Sequence, residues 1–149
     1  MHHILRVALQ NGTSYNARKD KTMKYGFSKV VNLSFEQALA KVTEELKKEG
    51  FGVLTTIDVK ETLKKKLDVE FPRYTILGAC NPPFAYRALQ AEEEIGLLLP
   101  CNVIVYEKQG QTRVAAFDPM VMSAILGNRQ METIADEVKA RLERVIAAM

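Results

Sequence analysis

Apolar and polar positions along this chain fall into blocks, and each block ends at a residue that starts or stops regular structure. Tyr25–Leu33 alternates, with Phe27, Val31 and Leu33 on one face and Lys29 breaking the pattern, which predicts a strand. Ser34 then opens a helix, and Gln37 stands three residues on, as a capping box requires. Phe35, Ala38, Leu39, Val42 and Leu46 recur at helical spacing, and Gly50 supplies the stop. Phe51–Ile57 predicts a second strand. Asp58 caps a shorter helix on which Val59, Leu63 and Leu67 recur every four residues.

The second half continues in the same way. Arg73–Cys80 predicts a third strand, and a helix follows from Pro82 to about Glu94, with Asn81 as its N-cap and Pro82 at its first position. Cys101–Lys108 and Gln111–Phe117 predict two strands joined at Gln109-Gly110, a loop so short that they must be antiparallel. Asp118-Pro119 begins another helix, and Gly127-Asn128 interrupts it. Arg129–Met149 forms a long amphipathic helix with Met131, Ile134, Val138, Leu142, Val145 and Met149 along one stripe. The near-heptad spacing fits burial against the sheet, against a second subunit, or both. The expected fold is α+β: a mostly antiparallel sheet with helices on one face and an extra helix between strands.

Length and charge refine this picture. The 149 residues accommodate one domain, placed at 23–149. Residues 1–22 read differently, with the polar run Gln10–Asn16 and the charged run Ala17–Lys21. Three readings stay open: a natural start at Met23, a loosely attached arm, or an ordinary extra strand at Ile4–Leu9. Arg6, Arg18, Lys19 and Lys21 against Asp20 account for the whole formal charge of +3. The remainder is neutral, which argues against a strongly electrostatic nucleic-acid binder. No apolar run is long enough to span a bilayer and no secretory core is recognisable, so a cytoplasmic location is expected. Two cysteines suit a reducing compartment, and a single disulfide stays open.

Candidate chemistry centres on Cys80. It ends the third strand just ahead of a helix N-terminus, whose unpaired N–H groups favour a thiolate. Cys101 follows Pro100 and opens the next strand. If those strands are antiparallel neighbours, the two cysteines meet at one sheet edge. Counting back from Gln109-Gly110 sets Cys101 opposite Asp118. The expected ligand-binding cluster is therefore Cys80, Asn81, Cys101 and Asp118, against a plain packing role for both cysteines.

Other signals are weaker. His2 and His3 are the only histidines and lie in the arm, which disfavours a Cys–His nucleophile pair. Two cysteines fall short of the four ligands of a structural zinc site, so no metal is expected. No phosphate-binding glycine pattern precedes a helix, and no cofactor is expected. Glu92-Glu93-Glu94 at a helix C-terminus opposes the helix dipole, which a bound cation or a solvated face would explain. Lys64-Lys65-Lys66 reads as a solvated face among Glu61, Asp68 and Glu70. Met120, Met122 and Met131 surround the break between the last two helices, where adaptable side chains fill a core or a site that must repack.

Several landmarks together carry a resemblance: Tyr25-Gly26-Phe27, Gly50-Phe51-Gly52-Val53-Leu54, Leu77-Gly78-Ala79-Cys80-Asn81-Pro82, Ile95–Val103 and Asp118-Pro119-Met120. Over about residues 23–126 the chain resembles the bacterial and archaeal family catalogued as domain of unknown function 302. The resemblance implies a TATA-binding-protein-like β-α-β4-α architecture and a homodimer, and it supplies no activity. Cys80 and Cys101 fall on the family's two cysteine-containing motifs, with no role attached.

These observations favour a non-enzymatic, dimeric domain with a small-molecule or partner-binding cleft near Cys80-Asn81-Pro82. The alternative is a thiol-dependent redox enzyme or sulfur carrier, with Cys80 as nucleophile and Cys101 as resolving thiol. Nucleic-acid binding rests on fold analogy alone.

Overall fold

The computed structural model describes residues 25–149, so the expectations for residues 1–22 fall outside it. Strand β1 (Gly26–Val31) leads to helix α1 (Phe35–Lys48), β2 (Gly52–Asp58), α2 (Val59–Leu67), β3 (Tyr74–Cys80) and α3 (Pro82–Ala91). A 3₁₀ segment (Glu93–Leu98), β4 (Cys101–Lys108), β5 (Gln111–Phe117), α4 (Met120–Leu126) and α5 (Arg129–Ala148) complete the order. The five strands form one sheet in the order β1-β5-β4-β3-β2, and every neighbouring pair is antiparallel. This is the α+β architecture the polar pattern predicts.

Local chemistry explains most element boundaries. The Ser34 hydroxyl accepts from the Gln37 amide at 3.1 Å, and the Gln37 side chain accepts from the Ser34 amide at 3.0 Å, which completes the capping box. At the other end of α1, Gly50 takes φ +85° and Phe51 donates to the Leu46 carbonyl, a Schellman stop. Asp58 caps α2 through the Glu61 amide, and Asn128 caps α5 through the amides of Gln130 and Met131. Gln109 and Gly110 both have positive φ, as a two-residue hairpin turn demands. Lys29, which breaks the β1 pattern, donates to the Ala147 carbonyl at the C-terminal end of α5.

Two expectations are corrected. Helix α3 ends at Ala91 rather than Glu94. Glu92 is extended, and Glu93 and Glu94 occupy the first turn of the 3₁₀ segment, where carboxylates meet the favourable end of the backbone dipoles. The break turns Ile95 into the core, where it is 1% exposed. Only Glu92 stays at the C-terminus of α3, as its C-cap, and no bound cation is required to explain the triplet. Asn81, in turn, occupies the N-cap position of α3 without capping it by side chain.

The core lies between one face of the sheet and the helices. Leu77, Ala79, Val103, Val105, Val114 and Ala116 project from the sheet to meet Val42 and Leu46 of α1 and the α5 stripe. Met131, Ile134, Val138, Leu142 and Val145 are all buried within this one chain. That stripe is consumed by intramolecular packing, so it is not available for a helix-mediated dimer. The basic run of α2 lies in solvent, with Lys64 paired to Asp68 and Glu70 and Lys65 to Glu61.

The register assigns the other sheet face to Val30, Arg113, Tyr106 and Tyr74 in one row, and to Ser28, Ala115, Ile104, Ile76 and Ile57 in the next. Tyr74 and Tyr106 stack at 5.4 Å between ring centroids. Val30 and Ile57 are exposed.

Gly78 lies on that face in close contact with Thr55 and Pro100. A Cβ there would collide with Thr55 Oγ1 and lie 2.9 Å from Pro100 Cγ. Gly78→Ala is expected to destabilise the domain by about 1–3 kcal/mol through overpacking. Thr55→Ala in the same chain should recover part of that loss. Thermal unfolding checks both; an unchanged midpoint for Gly78→Ala would contradict the close approach.

Candidate functional site

The end of β3 gives way to α3 through Cys80 and Asn81, and beside this junction lies a cavity of about 290 Å³. Its walls come from the strand ends (Phe51, Ala79, Cys80, Cys101), from α3 (Phe84, Ala85, Ala88, Leu89) and from α4 and α5 (Met122, Met131, Ile134, Ala135, Val138). Leu99, Pro100 and Pro119 close the sides. The space exists because alanine occupies facing positions: Ala79 on the strand, Ala85 and Ala88 on α3, Ala135 on α5. Larger side chains there would fill it. Leu54 reaches the cavity from a bulge in β2, where it faces no residue of β3 and is 68% exposed. A bulge redirects a side chain in this way. Exposed Leu54 and Leu89 therefore give the cavity an apolar mouth.

No lining residue carries a charge. The charges near it are engaged with one another. Arg87 and Arg141 lie over the Phe84 ring at 5.5 and 5.2 Å from its centroid. Arg87 bridges α3 to α5 through Glu137 at 3.1 Å. Glu49, the last residue of the α1 turn, receives Arg144 through both carboxylate oxygens at 2.9 and 3.0 Å. The Arg144 guanidinium hydrogen-bonded to it, with Arg141 nearby, holds the Glu49 carboxyl below its ordinary range.

The expected cluster of four residues is brought together in part. Cys80, Asn81 and Cys101 all line the cavity. Ala79 stands opposite Cys101 in the β3–β4 ladder, so Cys101 shares the inner face with Ala79. Cys80, one residue on, leaves the strand on the other face. The cavity meets both because it lies at the strand end. Asp118 lies apart from it. The β4–β5 pairs run from Lys108–Gln111 to Val103–Ala116, and beyond them the Asp118 amide donates to the Tyr25 carbonyl. The Asp118 carboxylate accepts from the Met120 amide at 2.9 Å and pairs with Lys139 at 3.1 Å. It serves the start of α4 and a tie to α5.

Asn81 does something the sequence did not indicate. Its Nδ2 donates to the Glu49 carbonyl at 3.1 Å, which the Arg141 guanidinium also meets at 3.3 Å. The reason lies in the two residues that follow. Pro82 and Pro83 hold the first two helical positions and carry no N–H, so little is left for an N-cap side chain to bond. The same prolines remove two of the donors that were expected to face a thiolate at Cys80. The Ala85 amide is already bonded to the Asn81 carbonyl. Both thiols are free. Burial, with Cys80 nearby as the lesser cause, pushes the Cys101 thiol up to about 11.

The lining residues that the sequence did not assign to a site include Phe51, Leu54, Phe84, Leu89 and the alanines, and Ile134 and Val138 were legible only as core stripe. The readable signal was the alanines: Ala85 and Ala88 with Phe84 on the inner side of α3, and Ala135 within the α5 stripe. Met122 and Met131 line the cavity, whereas Met120 does not. Among the described residues, no group of three or more His, Cys, Asp or Glu side chains is placed to hold a metal ion. No helix of the described residues is long and apolar enough to cross a membrane.

The family model for "Domain of unknown function DUF302" matches residues 27–149. The chain belongs to this family. The match runs through the whole of α5, beyond the motifs legible in the sequence. The crystal structure of an uncharacterized conserved DUF302 protein from Bacillus stearothermophilus is similar to this chain, at 28% identity and a TM-score of 0.79, covering 84% of this chain and 98% of that one. No curated protein matches the chain.

The state of Cys101 in this DUF302 domain has a measurable consequence. A thiol whose folded value lies above its ordinary value of about 9 keeps its proton longer in the native state. Its contribution is full below the unfolded value and is lost as pH rises through the folded one. Stability should therefore fall between pH 9 and 11, and Cys101→Ala should flatten that slope in denaturant titrations. Native Cys101 should resist alkylation at pH 8 and react on unfolding. Rapid native alkylation of Cys101 would contradict its burial.

Proposed function

We propose that this DUF302 domain is a homodimeric binding module that takes a small molecule into the cavity beside Cys80. The observation that carries the reading is a sizeable cavity with an uncharged, apolar lining and an apolar mouth. Pockets for small ligands are lined mainly by hydrophobic and aromatic side chains with few polar groups, and this one is near the lower end of their usual size. Phe51 and Phe84 supply aromatic walls, and Met122 and Met131 supply side chains that adapt to an occupant.

The thiol-enzyme reading has less support. A resolving thiol at Cys101 would have to ionise against its burial, and prolines occupy the helix N-terminus that was to activate Cys80. The observations favour Cys80 and Cys101 as part of the cavity wall.

For the dimer, the support is the sheet face away from the helices. It presents Val30, Ile57, Ile76, Ile104 and the Tyr74–Tyr106 stack, and Arg113 Nε is buried there without a hydrogen-bond partner. A second copy seated on this face would cover those rows.

Two measurements test this reading. Thermal-shift screening with small apolar compounds should find binders. At a hundredfold excess over Kd a binder adds about 2.7 kcal/mol, roughly 5–11 °C in this size range. Ala88→Leu, which fills the cavity, should keep the unliganded midpoint within a few degrees and abolish the shift. A shift that survives Ala88→Leu would place the ligand elsewhere. Light scattering at micromolar concentration should give the dimer mass, and Val30→Asp with Ile57→Asp should give the monomer. A monomeric parent protein would overturn the dimer.

A further inference from the structure

The cavity wall carries one polar side chain that is both buried and half satisfied. Asn81 is 8% exposed. Its Nδ2 is committed to the Glu49 carbonyl, and among the described residues its Oδ1 accepts no hydrogen bond. The amide packs against Gly50, where a Cβ would come within 3.2 Å of Asn81 Nδ2. With one N–H of Nδ2 engaged, Oδ1 is the group of this side chain whose hydrogen-bonding capacity is wholly unused. Oδ1 is not fully enclosed, so an occupant that displaces water from it without supplying a donor leaves it unpaired, and an occupant that supplies one is favoured.

The rest of the wall sets the remaining terms. It offers no charged side chain to neutralise an ion, and an unpaired charge in such surroundings is strongly disfavoured. Arg87 and Arg141 stand nearby, but Glu137 and Glu49 already hold them. Met122, Met131, Phe51 and Phe84 favour a flat, polarisable body, because thioether sulfur and ring faces both contact aromatic rings well. The volume of about 290 Å³ is nearly twice the ~150 Å³ that accommodates benzene.

Resting on the binding reading above, we propose that the ligand is a neutral, largely apolar aromatic molecule bearing one hydrogen-bond donor, which meets Asn81 Oδ1. A phenolic hydroxyl or an N–H on a fused ring fits this description. A carboxylate or phosphate does not.

Four probes on the full chain at pH 7 test this: 1-naphthol, 1-methoxynaphthalene, naphthalene and 1-naphthoate, with affinities from ligand fluorescence. 1-Naphthol should bind about fivefold more tightly than 1-methoxynaphthalene or naphthalene. 1-Naphthoate should bind at least about tenfold more weakly than 1-naphthol. Asn81→Ala should bring 1-naphthol and naphthalene to equal affinity. If that variant does not fold, the comparison of 1-naphthol with its methyl ether decides alone, because the two differ in the donor. Equal binding of the three neutral probes would overturn the donor and leave the binding reading standing. Naphthoate binding as tightly as naphthol would overturn the requirement for neutrality. No binding by any of the four would overturn the binding reading and this inference with it.

Discussion

The burial of the α5 apolar stripe is the constraint on which the rest of this domain depends. Leu142 and Val145 are almost fully enclosed, and Met131, Ile134 and Val138 continue the same line. The hydrophobic term for each such side chain is about 1.5–3 kcal/mol, so no other single element contributes comparably. The same stripe has two uses along its length. Toward its C-terminal end it closes the core. Toward its N-terminal end it becomes one wall of the cavity, because alanines rather than bulky residues face it from β3 and α3.

Polar ties fix where that wall stands. Glu49 ends α1 and binds Arg144 by its carboxylate, while its carbonyl receives Asn81 and Arg141. One residue thus joins the end of α1, the start of α3 and the middle of α5. Arg87 and Glu137 join α3 to α5 further along. These contacts hold α3 at a fixed spacing from α5, and the small side chains between them leave room. Cavity and core are two results of one packing arrangement.

Much of the fold was legible because the signals were local. Ser34 and Gln37, Gly50, the Gln109-Gly110 turn and the Gly127-Asn128 break each specify a boundary through bonds within a few residues. The strand ends were read to within one or two positions for the same reason. The site was less legible because its contacts are distant in sequence. Asn81 looked like a helix cap, and only the fold shows it reaching Glu49, thirty-two positions away. Asp118 was placed beside Cys101 by counting along an ideal hairpin, but the chain departs from that ladder to meet Tyr25 and to start α4. Glu92–Glu94 was misread because the need to bury Ile95 outweighed helix continuation. The alanines were visible throughout, yet an alanine reads as space only once the opposite wall is known.

The most direct test of a ligand-binding cavity uses the methionine methyl groups as reporters. With the chain labelled at its six methionine methyls, 1-naphthol should shift the Met122 and Met131 signals in a saturable way and leave Met149, at the far end of α5, unmoved. Saturable shifts confined to other methionines, or none at concentrations where 1-naphthol remains dissolved, would contradict the account.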